Sequence, residues 1–210
     1  MRSTRMRFLL ASASSGRLRT LRQAGVEPEV EVSGVDEDAV TAATPAELVQ
    51  VLAHAKAASV AGRQRGTVLV LGCDSMLELD GAALGKPASV EEAVRRWQRL
   101  RGRTAVLHTG HTLIEVVDSA PARALDRVAS TEVRFAEPSD AEIAAYVGTG
   151  EPLRAAGAFT IDGLGGWFVE AVTGDHHTVV GLSLPLLRRM LLELGHAVTD
   201  LPARSGELAS

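Results

Sequence analysis

Hydrophobic and polar positions follow two different periods along this chain, and the switches between them predict an α/β fold. Short apolar runs rich in β-branched residues predict strands over 7–12, 29–33 and 68–73. Between them, apolar residues recur every three or four positions, which predicts helices from the serine-rich segment to about Ala24 and over 45–61. Strands that alternate with helices in this way favour a parallel or mixed sheet.

The second half of the chain continues the alternation, and its helices have clear start signals. Ser89-Val90-Glu91-Glu92 and Ser139-Asp140-Ala141-Glu142 are capping boxes, as is Thr44-Pro45-Ala46-Glu47 earlier in the chain. Asp80-Gly81 is typical of a hairpin turn. The remaining predicted elements are helices from Ser89 to about Gly102, from Ser139 to about Val147 and over 184–194, and strands over 104–109, 112–117, 127–135 and 167–172.

Length and composition agree with one domain of this class. A chain of 210 residues is long enough to bury a sizeable core, and with aromatic residues at 3% that core is expected to be aliphatic. The residues after Asp200 are small and polar, which predicts a single domain over 1–200 and a flexible tail over 201–210. We expect a mixed twisted sheet with flanking helices, arranged as two lobes around a central cleft.

Charge and cysteine content narrow the functional classes. The net charge of −4 argues against general nucleic-acid binding, which needs a basic surface. No apolar run approaches the roughly 20 residues of a membrane span, and the one after the N-terminal arginines is too short for a signal peptide. The single cysteine, Cys73, lies in a predicted buried strand, so a reducing compartment suits it. We therefore expect a cytoplasmic protein with no nucleic-acid or membrane partner.

Asp74 is the leading candidate for chemistry. It directly follows the apolar run Val68–Cys73, which is typical of a strand buried on both faces in the middle of an α/β sheet. Ligands of such sheets bind outside the carboxyl ends of the strands. A carboxylate at that edge is costly unless a metal or a cation stands beside it. The alternative is a strand-end aspartate that caps a turn.

Three further segments have the residue types of an anion site. Ser12-Ala13-Ser14-Ser15-Gly16-Arg17 brings hydroxyls, a glycine and an arginine to the start of a helix, where phosphate is favoured. A serine-rich cap with a solvated arginine fits the same segment. Lys56 falls in the apolar stripe of its helix, so it either reaches the rim or points into a polar site. Lys86 lies in Gly85-Lys86-Pro87, which by itself is only a loop.

Two clusters have the residue types of metal ligands. Asp36-Glu37-Asp38 follows the second strand, either as a solvated turn or as metal or ribose ligands that face the phosphate site. His176 and His177 would point to opposite faces of an extended chain, which argues against joint ligation. The glycine-rich segment Gly163-Leu164-Gly165-Gly166 indicates a close backbone approach, either structural or in contact with a ligand.

These segments occur in an order that resembles the Maf family, over about residues 8–194. The resemblance is specific because several spaced motifs match together, and the form Gly-Cys-Asp-Ser-Met with Gly-Gly-Trp-Phe is most similar to actinobacterial members. The motifs are Leu10-Ala11-Ser12-Ala13-Ser14-Ser15-Gly16-Arg17, Asp36-Glu37, Ala55-Lys56-Ala57, Gly72-Cys73-Asp74-Ser75, Gly85-Lys86-Pro87, Thr109-Gly110, Gly163-Leu164-Gly165-Gly166 and Val180-Gly181-Leu182-Ser183-Leu184-Pro185.

The resemblance implies a nucleoside triphosphate pyrophosphatase that releases a nucleoside monophosphate and pyrophosphate. It also implies a fold related to the inosine triphosphate pyrophosphatases, a divalent metal cation (Mg²⁺ or Mn²⁺) and a homodimer. Asp74 matches the family's proton acceptor, and Glu37 with Asp74 would hold the metal. The implied substrate-binding residues are Ser12, Ser14, Gly16, Arg17, Lys56, Ser75, Lys86 and Asp162.

The chain departs from the family at the positions that select the base. Members acting on dTTP and UTP have Arg, Thr and Gln where this chain has Gly16, Ser75 and Asp162, and members acting on 7-methyl-GTP have Trp, Gln and Glu. Because neither set matches, the base stays open, and a broad or modified-nucleotide specificity fits. Two other functions stay open as well: a division-linked regulatory protein acting through nucleotide or partner binding, and a non-catalytic nucleotide-binding module.

Overall fold

The computed structural model describes residues 6–204, in which strands and helices alternate. The strands are β1 (Arg7–Leu10), β2 (Glu29–Val30), β3 (Val68–Leu79), β4 (Ala82–Leu84), β5 (Thr104–Val117), β6 (Ala120–Phe135) and β7 (Val169–Thr173). The helices are α1 (Ser15–Gln23), α2 (Pro45–Ala61), α3 (Val90–Leu100), α4 (Asp140–Gly148), α5 (His176–Val180) and α6 (Leu184–Glu193).

One mixed sheet joins these strands in the order β2-β1-β3-β5-β6-β7, with β4 paired to β3. β1 runs parallel to β2 and to β3, whereas β3, β5, β6 and β7 pair in antiparallel fashion. The predicted α/β class with a mixed sheet is therefore confirmed. Within residues 6–204, none of the helices has the length and apolar character needed to span a bilayer.

The central strand β3 continues past its predicted end. Its first residues pair in parallel with β1 as far as Leu10 opposite Leu71, and it then continues as an antiparallel partner of β5. The prediction that the strand ends before Asp74 is wrong, because the apolar run marks only the stretch buried on both faces. Asp74 nevertheless lies just beyond the carboxyl end of β1, which pairs with β3 as far as Leu71. It is therefore at the edge of the sheet where we expect a ligand to bind.

Other strands also differ from the prediction. The two strands predicted over 104–109 and 112–117 are one strand, because Gly110 does not turn the chain. A Cβ at Gly110 would lie 2.2 Å from the carbonyl oxygen of Val49, so this glycine instead allows α2 to approach the sheet. β6 begins at Ala120 rather than at 127, β7 begins at Val169 rather than at 167, and β2 is only 2 residues long.

The helices follow their predicted caps closely. Ser14, Thr44, Ser89 and Ser139 each accept a hydrogen bond from the backbone N–H three residues later. Helix α5 is unpredicted because 5 residues are too few to show a helical period. The argument that His176-His177 lies on an extended chain is therefore wrong.

The apolar core divides between the two ends of the sheet. At one end, Trp97 packs edge-on against Phe135 and Tyr146, so this part is aromatic rather than aliphatic as predicted. At the other end, aliphatic residues of β1, β3 and α6 fill the core. Residues from both parts, among them Ala11 and Phe159, line the cleft between the two predicted lobes.

Residues 201–204 are packed against the domain. Leu201 is buried, Ala203 forms a β-bridge with Val26, and the backbone N–H of Arg204 donates to the carbonyl of Gly25. The domain therefore extends beyond the predicted boundary at residue 200, since Leu201 finds apolar neighbours there. The rest of the predicted tail, 205–210, lies outside the described residues.

Helix α2 lies directly against the sheet at Gly72, where a Cβ would be 2.3 Å from the carbonyl oxygen of Ala53. We expect Gly72→Ala to lower the free energy of unfolding by about 3 kcal/mol, because the helix must move away as a unit. Urea unfolding measures this effect. Gly148→Ala is the matched control, since a Cβ at Gly148 meets nothing within 4 Å. Equal urea midpoints for the two variants would contradict this packing.

Candidate active site

A cleft of about 1160 Å³ opens between the two lobes. It is lined by α1, the loop after β2, α2, β3, the loop after β4 and the segment that precedes β7. Every site residue predicted from the sequence lines this one cleft: Ser12, Ser14, Gly16, Arg17, Glu37, Lys56, Asp74, Ser75, Lys86 and Asp162.

Lys56 joins two carboxylates in the cleft. Its Nζ lies 2.8 Å from Oε1 of Glu37 and 2.6 Å from Oδ1 of Asp74. Asp74 is two residues after Gly72 and therefore on the same face of β3, and the helix that packs on Gly72 brings Lys56 to that face. Lys56 and Asp74 are buried, so a lysine that merely reaches the rim and an aspartate that caps a turn are both excluded.

Burial dominates the electrostatics of Asp74. It raises the pKa of this carboxyl above its usual range, the positive charges of Lys56 and Arg17 oppose that rise, and the Glu37 carboxylate adds to it. The positive charge of Lys56, with its Nζ 2.6 Å from Oδ1, favours the ionised form of Asp74. A carboxylate with a raised pKa that is still ionised has the properties of a proton acceptor.

Arg17 is buried and donates three hydrogen bonds within the protein, which excludes a solvated arginine. Its Nε donates to the carbonyl of Gly181 at 2.8 Å, and its Nη1 and Nη2 donate to the hydroxyls of Ser12 and Ser75, each at 3.0 Å. Arg17 thereby fixes two hydroxyls of the cleft wall. Ser14 is occupied as the N-cap of α1, with its hydroxyl 3.4 Å from the Arg17 backbone nitrogen.

A chain of hydroxyls extends from Arg17 into the protein. Ser75 Oγ lies 2.9 Å from Thr109 Oγ1, which donates to the carbonyl of Thr178. Since the Thr109 proton is used in that bond, Ser75 donates to Thr109. Next to this chain, burial lowers the pKa of His111 to about 4, so its ring is neutral. His111 Nε2 accepts from the Ser183 N–H and Nδ1 donates to the backbone carbonyl of Thr109, so it is a structural residue.

Lys86 and Asp162 lie at the rim of the cleft. Lys86 is exposed, and its loop is held through the Gly85 carbonyl, which accepts from the Gly157 N–H and from the buried Arg96. Asp162 forms an ion pair with Arg19, which reaches across from α1. Gly16 also lines the cleft, and a Cβ there would be in van der Waals contact with Val180 and Ser14, at 3.4 to 3.7 Å.

The carboxylates in the cleft fit a divalent cation. The oxygens of Glu37 and Asp74 already approach one point, the Nζ of Lys56, at 2.8 Å and 2.6 Å. Within residues 6–204 there is no group of three or more His, Cys, Asp or Glu that could hold a metal alone. Mg²⁺ needs only one or two carboxylates when substrate phosphates complete its shell. His177 instead contacts Asp175, the N-cap of α5.

Three polar residues of the site escape prediction from the sequence. Arg19 and Glu151 line the cleft, and Thr109 completes the hydroxyl chain. Arg19 lies two residues after Arg17 on the same helix, but its partner is 143 positions away. Glu151 directly precedes Pro152 in a short apolar and glycine-rich stretch, where a half-buried acceptor leaves no periodic signal.

Comparison with known proteins gives a consistent result. A family model described as Maf-like protein matches residues 7–194. A nucleoside triphosphate pyrophosphatase of Streptomyces coelicolor is 58% identical over 198 residues, which cover 94% of this chain and 95% of the relative. A protein of the same name from Mycobacterium sp. strain JLS is 53% identical over 207 residues, covering 94% of this chain and 99% of the relative.

One solved structure gives a much weaker match. The Staphylococcus aureus Ham1 protein aligns with a TM-score of 0.40 and 18% identity, over 62% of this chain and 72% of its own. That likeness is too distant to support a conclusion. The fold assignment rests on the sheet topology instead.

Proposed function

Because the chain belongs to the Maf-like protein family and is a nucleoside triphosphate pyrophosphatase, we propose that the cleft around Asp74 is its catalytic site. The reaction adds water across the bond between the α- and β-phosphates and releases a nucleoside monophosphate and pyrophosphate. The observation that supports this placement is the 2.6 Å contact between buried Asp74 and Lys56, in a cleft that holds further cations.

Asp74 is the proposed proton acceptor. Water becomes a better nucleophile toward phosphorus when a carboxylate within hydrogen-bond reach takes its proton. Asp74 is buried, and its strand β3 fixes its position. A rigid element is a better support than a loop for a group that must meet the attacking water at one angle.

Lys56 and Lys86 are the proposed partners of the phosphates. A triphosphate gains negative charge on its leaving oxygens as the bond breaks, and fixed cations stabilise that charge best in a site shielded from water. Lys56 stands beside Asp74, whereas Lys86 is exposed at the rim and can meet the departing pyrophosphate. Arg17 is a positioning residue in this scheme, because three of its five N–H groups donate to Ser12, Ser75 and the carbonyl of Gly181.

Glu37 and Asp74 would hold the divalent cation, Mg²⁺ or Mn²⁺. Bound there, such a cation supplies Lewis-acid stabilisation of the phosphate oxygens. Glu37 lies on the loop after β2 with its side chain 55% exposed, so it can adjust to the substrate.

The substrate pocket supports activity on more than one triphosphate. Gly16 presents no side chain to the cleft at the start of α1, and an added Cβ would already contact Val180 and Ser14, at 3.4 to 3.7 Å. Ser75 uses its hydroxyl within the Arg17–Thr109 chain. An open pocket discriminates between bases by only about 10–200-fold. The expected cytoplasmic location suits the buried free thiol of Cys73, and the homodimer stays a prediction.

A panel of canonical and modified triphosphates with Mg²⁺ or Mn²⁺ tests this function. We expect equal amounts of monophosphate and pyrophosphate from more than one substrate, measured separately from orthophosphate. Release of orthophosphate would place the cleaved bond elsewhere. Nucleotide binding without turnover would indicate a binding module, and neither binding nor turnover would favour the regulatory alternative.

A further inference from the structure

We propose that Arg154 is a further substrate-binding residue of the cleft and that it forms, together with Lys86, a pair of cations that holds the β- and γ-phosphates of the triphosphate. These two phosphates leave as pyrophosphate, so the pair contacts both the substrate and this product. The inference rests on the proposed function and extends it to the part of the cleft that receives the leaving group.

The sheet has a gap at the proposed proton acceptor. One edge of β3 is paired with β5 along almost its whole length. On the other edge, β1 pairs with β3 as far as Leu71, and β4 pairs with it from Leu77 onward. Within the described residues, positions 72–76 have no strand on that edge, and Asp74 is the middle one. Leu71 and Leu77 are about 20 Å apart at about 3.3 Å per residue. A nucleotide bound at Asp74 therefore has space on the β1 side and on the β4 side.

Arg154 and Lys86 approach this gap from the β4 side. Lys86 directly follows Gly85, whose carbonyl accepts from the Gly157 N–H at 3.0 Å. That hydrogen bond joins the segment of Arg154 to the loop after β4. The contact is close, because a Cβ at Gly157 would lie 2.7 Å from the Cβ of Leu77, where the pairing with β4 begins. The two cations therefore belong to one wall of the cleft.

Glu151 anchors the segment that contains Arg154. Its Oε1 accepts from the hydroxyls of Tyr146 and Thr160 at 2.8 Å and 2.7 Å, and both of its oxygens accept from backbone N–H groups. Burial alone would raise the pKa of Glu151, but these donors lower it below its usual value. A Cβ at Gly163 would lie 2.7 Å from Oε2, so the close approach predicted for the glycine-rich segment is made to this carboxylate and is structural.

Arg154 lies between that anchor and Gly157. Its backbone N–H donates to the carbonyl of Glu151 at 3.1 Å, in the 3₁₀ turn Pro152–Arg154. Pro152 is buried, whereas the Arg154 side chain is exposed and lines the cleft. Gly157, three residues further on, is the next fixed point. Because the backbone is held at both ends, only the side chain must be ordered when a ligand binds, which lowers the entropic cost of binding.

Arg154 and Lys86 have donors to spare for a ligand. Five cations line the cleft, and three of them are engaged with protein groups: Lys56, Arg17 and Arg19. Within residues 6–204, the side chains of the other two form no hydrogen bond or ion pair. An exposed arginine on the outer surface is simply solvated. On the wall of a substrate cleft, beside a second free cation, it has the charge and the planar fork that bind phosphate oxygens.

The distribution of free charge indicates which part of the nucleotide lies on the β4 side. Two unpaired cations lie there, whereas Arg17, on the β1 side, uses three of its five N–H groups within the protein. The β- and γ-phosphates are the more highly charged half of the substrate, and they gain charge as the bond to the α-phosphate breaks. They therefore extend from Asp74 towards Lys86 and Arg154.

Product inhibition tests the inference. Arg154→Met keeps the length of the side chain and removes its charge. We expect it to raise the inhibition constant of inorganic pyrophosphate about 10–100-fold and that of the nucleoside monophosphate less than about twofold, as for the loss of one charge-assisted contact. The kcat/KM for the triphosphate should fall by about the same 10–100-fold. A purely structural role would not separate the two products.

Two further variants complete the design. Arg154→Lys keeps the charge without the planar fork, so it should restore part of the affinity for pyrophosphate. Arg189→Met is the matched control, because Arg189 is exposed on α6, does not line the cleft and has no ion pair within the described part of the chain. It should leave both inhibition constants unchanged. The urea midpoint of Arg154→Met should equal that of the wild type, since the side chain is exposed.

The outcomes separate this inference from the proposed function. If the wild-type protein releases no pyrophosphate from any triphosphate, the proposed function is wrong, and calorimetry with inorganic pyrophosphate still tests Arg154 directly. If the wild type turns over and Arg154→Met leaves the inhibition by pyrophosphate unchanged, only the role of Arg154 is wrong. An equal rise in the inhibition constants of both products would also overturn it, because Arg154 would then not act on the leaving group.

Discussion

Asp74→Asn is expected to lower the rate of pyrophosphate release by about 10²–10⁴-fold, the range typical for loss of a general base. Asparagine has nearly the same shape, and its amide oxygen can still accept from Lys56, so the fold and nucleotide binding should be preserved. Its amide cannot take a proton from water. Single-turnover rates and the affinity for a non-hydrolysable triphosphate analogue measure these two effects separately.

Asp80→Asn is the matched control for that experiment. Asp80 directly follows the same strand and pairs with Arg103 at the surface, with 2.5 Å between Nη2 and Oδ1, outside the cleft. It should keep the wild-type rate. An Asp74→Asn enzyme that retains more than about a tenth of wild-type turnover would lie well outside the expected loss, and Asp74 would not be the proton acceptor.

Local signals explain why the helices could be predicted and the strands only in part. Helix α2 has its predicted bounds, Pro45–Ala61, because Thr44 and Pro45 determine its start within one turn. The length of β5 depends instead on partners that are distant in the sequence, since Gly110 is explained only by the approach of Val49. A glycine between two apolar runs looks like a turn until its neighbour is known.

The same distinction applies to the site. Asp74 and Lys56 could be found because each contradicts its local pattern, one as a charge after an apolar run and the other as a charge in an apolar stripe. Arg19 is a charged residue on a polar helix face and contradicts nothing. Its ion pair with Asp162 could not be predicted, because Asp162 is 143 positions away in the sequence.

Lys56→Met is expected to reduce turnover and also to change its pH dependence. Lys56 opposes the rise in the pKa of Asp74 that burial causes, so its removal raises that pKa further. Asp74 must be deprotonated to accept a proton, and the acid limb of the kcat/KM profile should therefore move to higher pH. We expect a loss of about 10²-fold near neutral pH, with a smaller loss on the alkaline side. Pyrophosphate release measured across the pH range gives both quantities.

Lys86→Met separates the effect on Asp74 from a general loss of positive charge, since Lys86 is the only other lysine in the chain. The charges that shift the pKa of Asp74 are those of Lys56, Arg17 and Glu37, and Lys86 is not among them. Lys86→Met should raise KM for triphosphates while the acid limb keeps its position. If both variants weaken substrate binding alike and neither moves the acid limb, the contact between Lys56 and Asp74 does not control the proton acceptor. The two lysines would then serve only to bind phosphate.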